Sequence, residues 1–228
     1  MKESLTQMER DFLIVHLFFS LLCGIILYMP GILIGIKLFI LVIIYNLIVP
    51  LVGNWRKYDE WLNIWLFCII LSILQIWPDW FLSAQLGVLV FPEDGLFKIG
   101  TVSGYMLFLW VIPFFIILFI GQSVDQRSSR GMTYLIVALI SLLIFGISEM
   151  MIWIIGSWYA QNVMMLGHIA VYIIVPEIIL GISTYYSYNQ IKDKNHLIKV
   201  PTAFIVMILY LGNAVFFYFL FEQIIFLS

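Results

Sequence analysis

Apolar residues run through this chain in seven long stretches separated by short polar breaks. They cover Phe12 to Met29, Ile32 to Val52, Leu62 to Trp77, Val102 to Gly121, Tyr134 to Gly156, Met164 to Tyr188 and Val200 to Phe221. Each approaches the roughly 20 residues that a helix needs to cross the hydrocarbon core of a bilayer. The pattern predicts an all-α integral membrane protein, a seven-helix bundle forming one domain over residues 1–228. One stretch breaks the rhythm. From Phe81 to Phe91 the chain is apolar for too few residues to span, and Pro92-Glu93-Asp94-Gly95 comes next. It reads as a short re-entrant or interfacial segment between spans three and four, or as a long outer loop.

Composition agrees. Of the 228 residues 64% are hydrophobic and 11% charged, against about 25% charged in ordinary soluble domains, so too few charges exist to cover a water-soluble globule. The basic residues set an orientation. Lys2, Arg10, Arg56, Lys57, Arg127, Arg130, Lys192, Lys194 and Lys199 fall at the N-terminus and in alternate loops, and only Lys37 and Lys98 fall on the other side. By the positive-inside bias the N-terminus is cytoplasmic and the C-terminus outside, in the inner membrane if the source is bacterial. A net charge of -2 provides no basic field for nucleic acid. Cys23 and Cys68 lie in apolar runs and read as packing residues. The run Ser20-Leu21-Leu22-Cys23-Gly24 lacks the small residue that a lipoprotein signal needs, so the first segment is expected to stay as a helix.

Ionisable residues inside spans are costly and mark cavities, partners or pathways. His16, Asp79, Glu149, His168 and Glu177 qualify, with Asn46, Gln75, Asn162 and Asn213 as neutral companions. Counting residues from the outer surface puts Glu149 on the fifth span and His168 on the sixth at one depth, roughly 10 Å down. They are expected to pair and fix helix register, to act on a ligand, or not to touch at all, with Phe145, Trp153 and Tyr172 around them at helical spacing. Glu177 comes directly after Pro176, whose missing N–H leaves the Tyr172 carbonyl without its helical partner. Gln75 and Asp79 stand one turn apart where the third span meets the interface. Glu93 and Asp94 suit a turn, or a cation held by adjacent carboxylates.

Absent motifs narrow the chemistry. The seventh span has Asn213 where a retinal-binding lysine would stand, and its only lysine is Lys199 at one end. No P-loop, His-Glu-x-x-His, Gly-x-Ser-x-Gly or Cys-x-x-Cys occurs, which disfavours ATP-driven pumps, zinc proteases and serine hydrolases. No metal or cofactor is expected.

Seven spans with outer aromatic belts, Pro92-Glu93-Asp94-Gly95-Leu96-Phe97 and the intramembrane Pro176-Glu177 resemble the lycopene-cyclase-domain proteins and related small membrane terpene cyclases, where Pro-x-Glu-Glu-x-x-Phe motifs recur. Here the acids come one residue earlier, and Pro176-Glu177 has a single acid. The chain is also similar to uncharacterised seven-span bacterial membrane proteins with Phe-Pro-x-Asp-Gly and Trp-x-x-Pro stretches, present at Phe91 to Gly95 and Trp110 to Pro113. The first resemblance implies a membrane-embedded isoprenoid cyclase or isomerase without a cofactor. Glu149 or Glu177 would donate the proton, Asp79 or His168 would orient it, and Trp110, Trp153, Tyr172, Asn213 and Gln75 would line the substrate chamber. An acid awaiting substrate must keep its proton, which an apolar chamber favours, and aromatic faces stabilise the carbocations formed next. The alternative is a non-enzymatic membrane protein, either a small proton-coupled carrier or an assembly partner in a membrane complex. A carrier is the weaker of these, since no internal repeat is visible.

Overall fold

A computed structural model describes residues 5–226; Lys2 of the charge bias lies outside the described residues. Helix α1 (Gln7–Tyr28) opens on a capping box written in the sequence as Thr6-x-x-Glu9. Thr6 Oγ1 accepts the Glu9 N–H at 3.2 Å, and Glu9 Oε2 accepts the Thr6 N–H at 2.8 Å, so two otherwise orphaned donors are satisfied. After it come α2 (Ile34–Arg56) and α3 (Asp59–Leu74). Through Gln75 the third helix continues into α4 (Ile76–Trp80) and a wide π turn over Phe81–Gln85. The span is thus Asp59–Gln85 and does not stop at Trp77. Pro78 permits this because it sits in the first turn of α4, where a missing N–H is tolerated.

No re-entrant helix fills the stretch from Phe81 to Phe91. The π turn takes its first half, and β1 (Leu89–Val90) takes part of the second, pairing antiparallel with β4 (Tyr159–Ala160). Two further ribbons join it: β2 (Lys98–Ile99) with β3 (Val102–Ser103), and β5 (Met165–Leu166) with β6 (Ile169–Ala170). Each turns on a glycine, Gly100 at φ 62° and Gly167 at φ 65°. The remaining α-helices are α5 (Met106–Leu109), α6 (Val111–Asp125), α7 (Arg130–Ile155), α8 (Val171–Ile191) and α9 (Lys199–Tyr218), the last running on as a π turn over Phe219–Ile225. Among the described residues, seven helices are therefore long and apolar enough to cross a membrane. The fourth begins at Met106 and the sixth at Val171, both later than hydropathy implies, because the residues before them form ribbons.

Polar contacts divide the molecule into two ends. At the end carrying the N-terminus, Arg127 pairs with Glu9 at 2.7 Å and Arg56 with Asp11 at 2.9 Å, both anchoring the start of α1. Lys192 Nζ donates to Gln122 Oε1 at 3.0 Å and Lys199 Nζ to Asn63 Oδ1 at 2.5 Å, linking α8, α6, α9 and α3. At the far end Lys37 Nζ donates to the Leu27 carbonyl at 2.9 Å, while Lys98 Nζ holds the carbonyls of Phe91 and Pro92. Between the ends lies an aromatic and aliphatic core that includes Tyr45, Trp61, Phe67, Phe114 and Phe115, all fully buried. His16 donates from Nδ1 to the Phe12 carbonyl, which leaves Nε2 to accept the Tyr45 hydroxyl at 3.0 Å. A polar span residue is thus explained by packing alone. Helix α7 is peripheral, burying only the stripe Thr133, Val137, Ser141 and Phe145.

Candidate functional site

A cavity of about 530 Å³ occupies the far half of the bundle. Three carboxyl side chains enter its wall from three helices: Asp79 from α4, Glu149 from α7 and Glu177 from α8. The rest is almost wholly apolar and aromatic, including Phe91, Trp110, Phe145, Trp158, Tyr172 and Tyr210. No lysine, arginine or histidine is among the wall residues, so no cation there offsets a negative charge.

Two of the acids are held by indoles. Trp110, at the junction of α5 and α6, donates from Nε1 to Asp79 Oδ2 at 3.0 Å. Trp158, just past the end of α7, donates from Nε1 to Glu149 Oε1 at 3.1 Å. Glu177 is different. It is 5% exposed, lines the cavity and accepts no hydrogen bond from any described residue. Glu149 and Asp79 line the same cavity. Aromatic rings wrap the same space: Trp110 packs against Phe145 with centroids 5.6 Å apart and against Tyr210 at 6.0 Å.

The wall has a side turned to lipid. On α7, Ile147 is 59% exposed, Met151 53% and Ile154 58%, yet all three line the cavity, as does exposed Ser148. Leu27 near the end of α1 and Ile112 and Pro113 on α6 complete that margin. The cavity is thus open at this margin, not a sealed shell. Met151→Trp, which fills this margin, is expected to cut any turnover of a bilayer-borne substrate about tenfold while leaving the thermal midpoint unchanged. Unaltered turnover would place the entrance elsewhere.

Asp79, Glu149, Glu177, Trp110 and Tyr172 all line the cavity. The Glu149–His168 pair does not form. His168 falls in the tip of the β5–β6 hairpin, is exposed, and stacks on Trp153 at 4.1 Å and 19°. Trp153 itself is 48% exposed and outside the cavity wall. The expected pairing requires a helix through residue 168, whereas α8 starts at Val171. Asn213 spends its amide on the Leu209 carbonyl at 2.7 Å, and Gln75 is fully buried; neither lines the cavity. Glu93 is exposed, and Asp94 Oδ1 accepts the Leu96 N–H at 3.0 Å, the turn reading of that acidic pair. The sequence pattern does not single out Trp158 or Tyr210. A buried indole needs an acceptor, but spacing along the chain does not reveal which acid supplies it.

A second pocket, of about 860 Å³, opens at the N-terminal end and is polar, with Glu60, Asn63, Gln122, Tyr188 and Lys192 among its walls.

No curated protein and no solved structure matches the chain. A family model matches residues 76–221, a stretch that holds Asp79, Trp110, Glu149, Trp158, Glu177 and every other cavity residue except Leu27. Since that match covers more than half of the sequence, the chain belongs to the family described as Domain of unknown function (DUF6989).

Proposed function

We propose that the protein is a membrane-embedded isoprenoid cyclase or isomerase in which Glu177 is the proton donor. The observation that carries this reading is the Glu177 carboxyl, buried in an apolar cavity with no hydrogen-bond partner among the described residues. An ionised carboxylate in such a place costs several kcal/mol or so, and the arrangement suits a neutral acid used as a proton source. Glu177 gives its proton to one carbon of an alkene, or to an epoxide oxygen. The cation that results is attacked by a neighbouring double bond of the same chain, closing a ring. Loss of a C–H proton to a carboxylate ends the sequence, so the product is an isomer of the substrate. Asp79 and Glu149, each already accepting an indole N–H, are placed to take that proton. The rings of Trp110, Tyr172 and Tyr210 line the space where positive charge develops, and aromatic faces attract cations. A volume of about 530 Å³ lies within the range of small-molecule sites, about 300–1,000 Å³. In the orientation that the basic residues favour, the cavity lies in the outer leaflet.

The test is incubation of the reconstituted protein with linear polyprenyl alkenes and their terminal epoxides, with products separated by chromatography and identified by mass spectrometry. A new compound of unchanged mass supports the reading. Recovery of every substrate unaltered overturns it.

A further inference from the structure

One face of α8 runs from the acid to the opposite pocket. Glu177, Gly181, Thr184 and Tyr188 recur at helical spacing on it and are all buried. Glu177 lines the apolar cavity, whereas Tyr188 lines the polar pocket at the N-terminal end. Thr184 lies between them, fully buried, with its Oγ1 lacking any hydrogen-bond partner. Buried hydroxyls are ordinarily satisfied, so an orphan calls for an explanation. At the level of Gly181 the α7 hydroxyl of Ser141 takes the room a side chain would need. It donates to the Val137 carbonyl at 2.7 Å and keeps its lone pairs for an incoming donor. On the third span Gln75 repeats the theme. It stands one turn from Asp79 towards the N-terminal end, fully buried, with neither amide oxygen nor amide nitrogen bonded. Two orphaned polar side chains therefore lie on the same side of the cavity acids, between them and the polar pocket.

We infer that this column, Tyr188, Thr184 and the Ser141 hydroxyl beside Gly181, is the path by which protons from the polar pocket reach Glu177. The inference rests on the reading of Glu177 as a proton donor. Along α8 the rise from Tyr188 to Thr184 is about 6 Å and from Thr184 to Glu177 about 10 Å, so water molecules bridge the gaps. Each hydroxyl or water accepts one proton on a lone pair as it releases its own. One proton leaves the polar pocket and one O–H bond forms on a Glu177 carboxylate oxygen, while each relaying hydroxyl or water forms one O–H bond and breaks one, so its proton count is unchanged. The path resets the donor after a turnover in which the product's proton was lost to Asp79 or Glu149, and that acid releases its proton to water before the next turnover, so each cycle takes up one proton and gives up one.

The experiment is infrared spectroscopy of the protein in phosphatidylcholine vesicles during transfer to heavy water. The carboxylic C=O band that Glu177→Gln removes reports the Glu177 proton, and its rate of deuteration is read in Thr184→Val and Tyr188→Phe. Both variants are expected to slow it about tenfold or more, the equivalent of about 1.4 kcal/mol in the barrier, and Thr184→Ser is expected to restore it. Deuteration at the original rate in Thr184→Val and Tyr188→Phe overturns the path while leaving the donor in place. If Glu177→Gln removes no band, Glu177 carries no proton and both readings fall.

Discussion

Glu177→Gln is expected to lower conversion of a polyprenyl substrate by roughly 10²–10⁴-fold, the usual contribution of a general acid, with little change in the yield of folded protein. The substitution keeps the volume and planar shape of the side chain and removes only the transferable proton. Because Glu177 accepts no hydrogen bond among the described residues, no partner is stranded by the change. Glu149→Gln and Asp79→Asn are expected to lose less, since either acid can take the final proton when the other is replaced. Each retains a carbonyl oxygen for its indole, Trp158 or Trp110. Product analysis by mass spectrometry separates the cases. Full conversion by Glu177→Gln alongside collapse in Glu149→Gln would hand the donor role to the indole-held acid.

A large loss of stability from a single added methyl is expected at Gly35. Its N–H donates to the Asp94 carbonyl at 3.0 Å, and a Cβ there would meet Asp94 Cγ at 2.5 Å and the Asp94 carbonyl and Oδ1 at 2.7 Å. None of these atoms can yield cheaply. One is backbone, and the side chain is fixed by its bond to the Leu96 N–H. Gly35→Ala is expected to cost about 2–4 kcal/mol, summing about 1–3 for overpacking and about 1 for the lost hydrogen bond. A thermal unfolding series in detergent checks this, with Gly24→Ala as reference, since nothing lies within 4 Å of that position. Equal midpoints for the two variants would mean that the loop is not seated on α2.

Desolvation accounts for most of the architecture that can be read from the sequence. Seven spans are legible because no other structure satisfies the backbone of a long apolar run in lipid. Asp79, Glu149 and Glu177 are legible for the same reason, as acids where acids are expensive. Hydropathy misleads where apolar residues are not helical. Met164 to Ala170 is greasy enough to extend the sixth span, yet Gly167-His168 is a two-residue turn with glycine at positive φ, a hairpin signal that hydropathy ignores. Gly100-Thr101 is its counterpart before the fourth span. His168 and Trp153 fall outside the cavity as a direct result, whereas Trp158 could not be assigned to Glu149 without the fold of the chain beyond α7. Gln75 and Thr184 illustrate a different limit. Their burial is implied by the spans, but the lack of partners emerges only once every neighbour has a position.

Lys37 and Lys98 are the exceptions to the basic bias, and each is occupied by backbone carbonyls. Arg10, Lys57 and Lys194 stand exposed at the opposite end. Anionic headgroups are drawn by about 1 kcal/mol for each basic side chain near the surface, so the lipid belt around the protein is lopsided. Acidic lipids are expected to gather at that rim, leaving the opposite one, where Leu27 and Met151 border the cavity, to zwitterionic and neutral molecules.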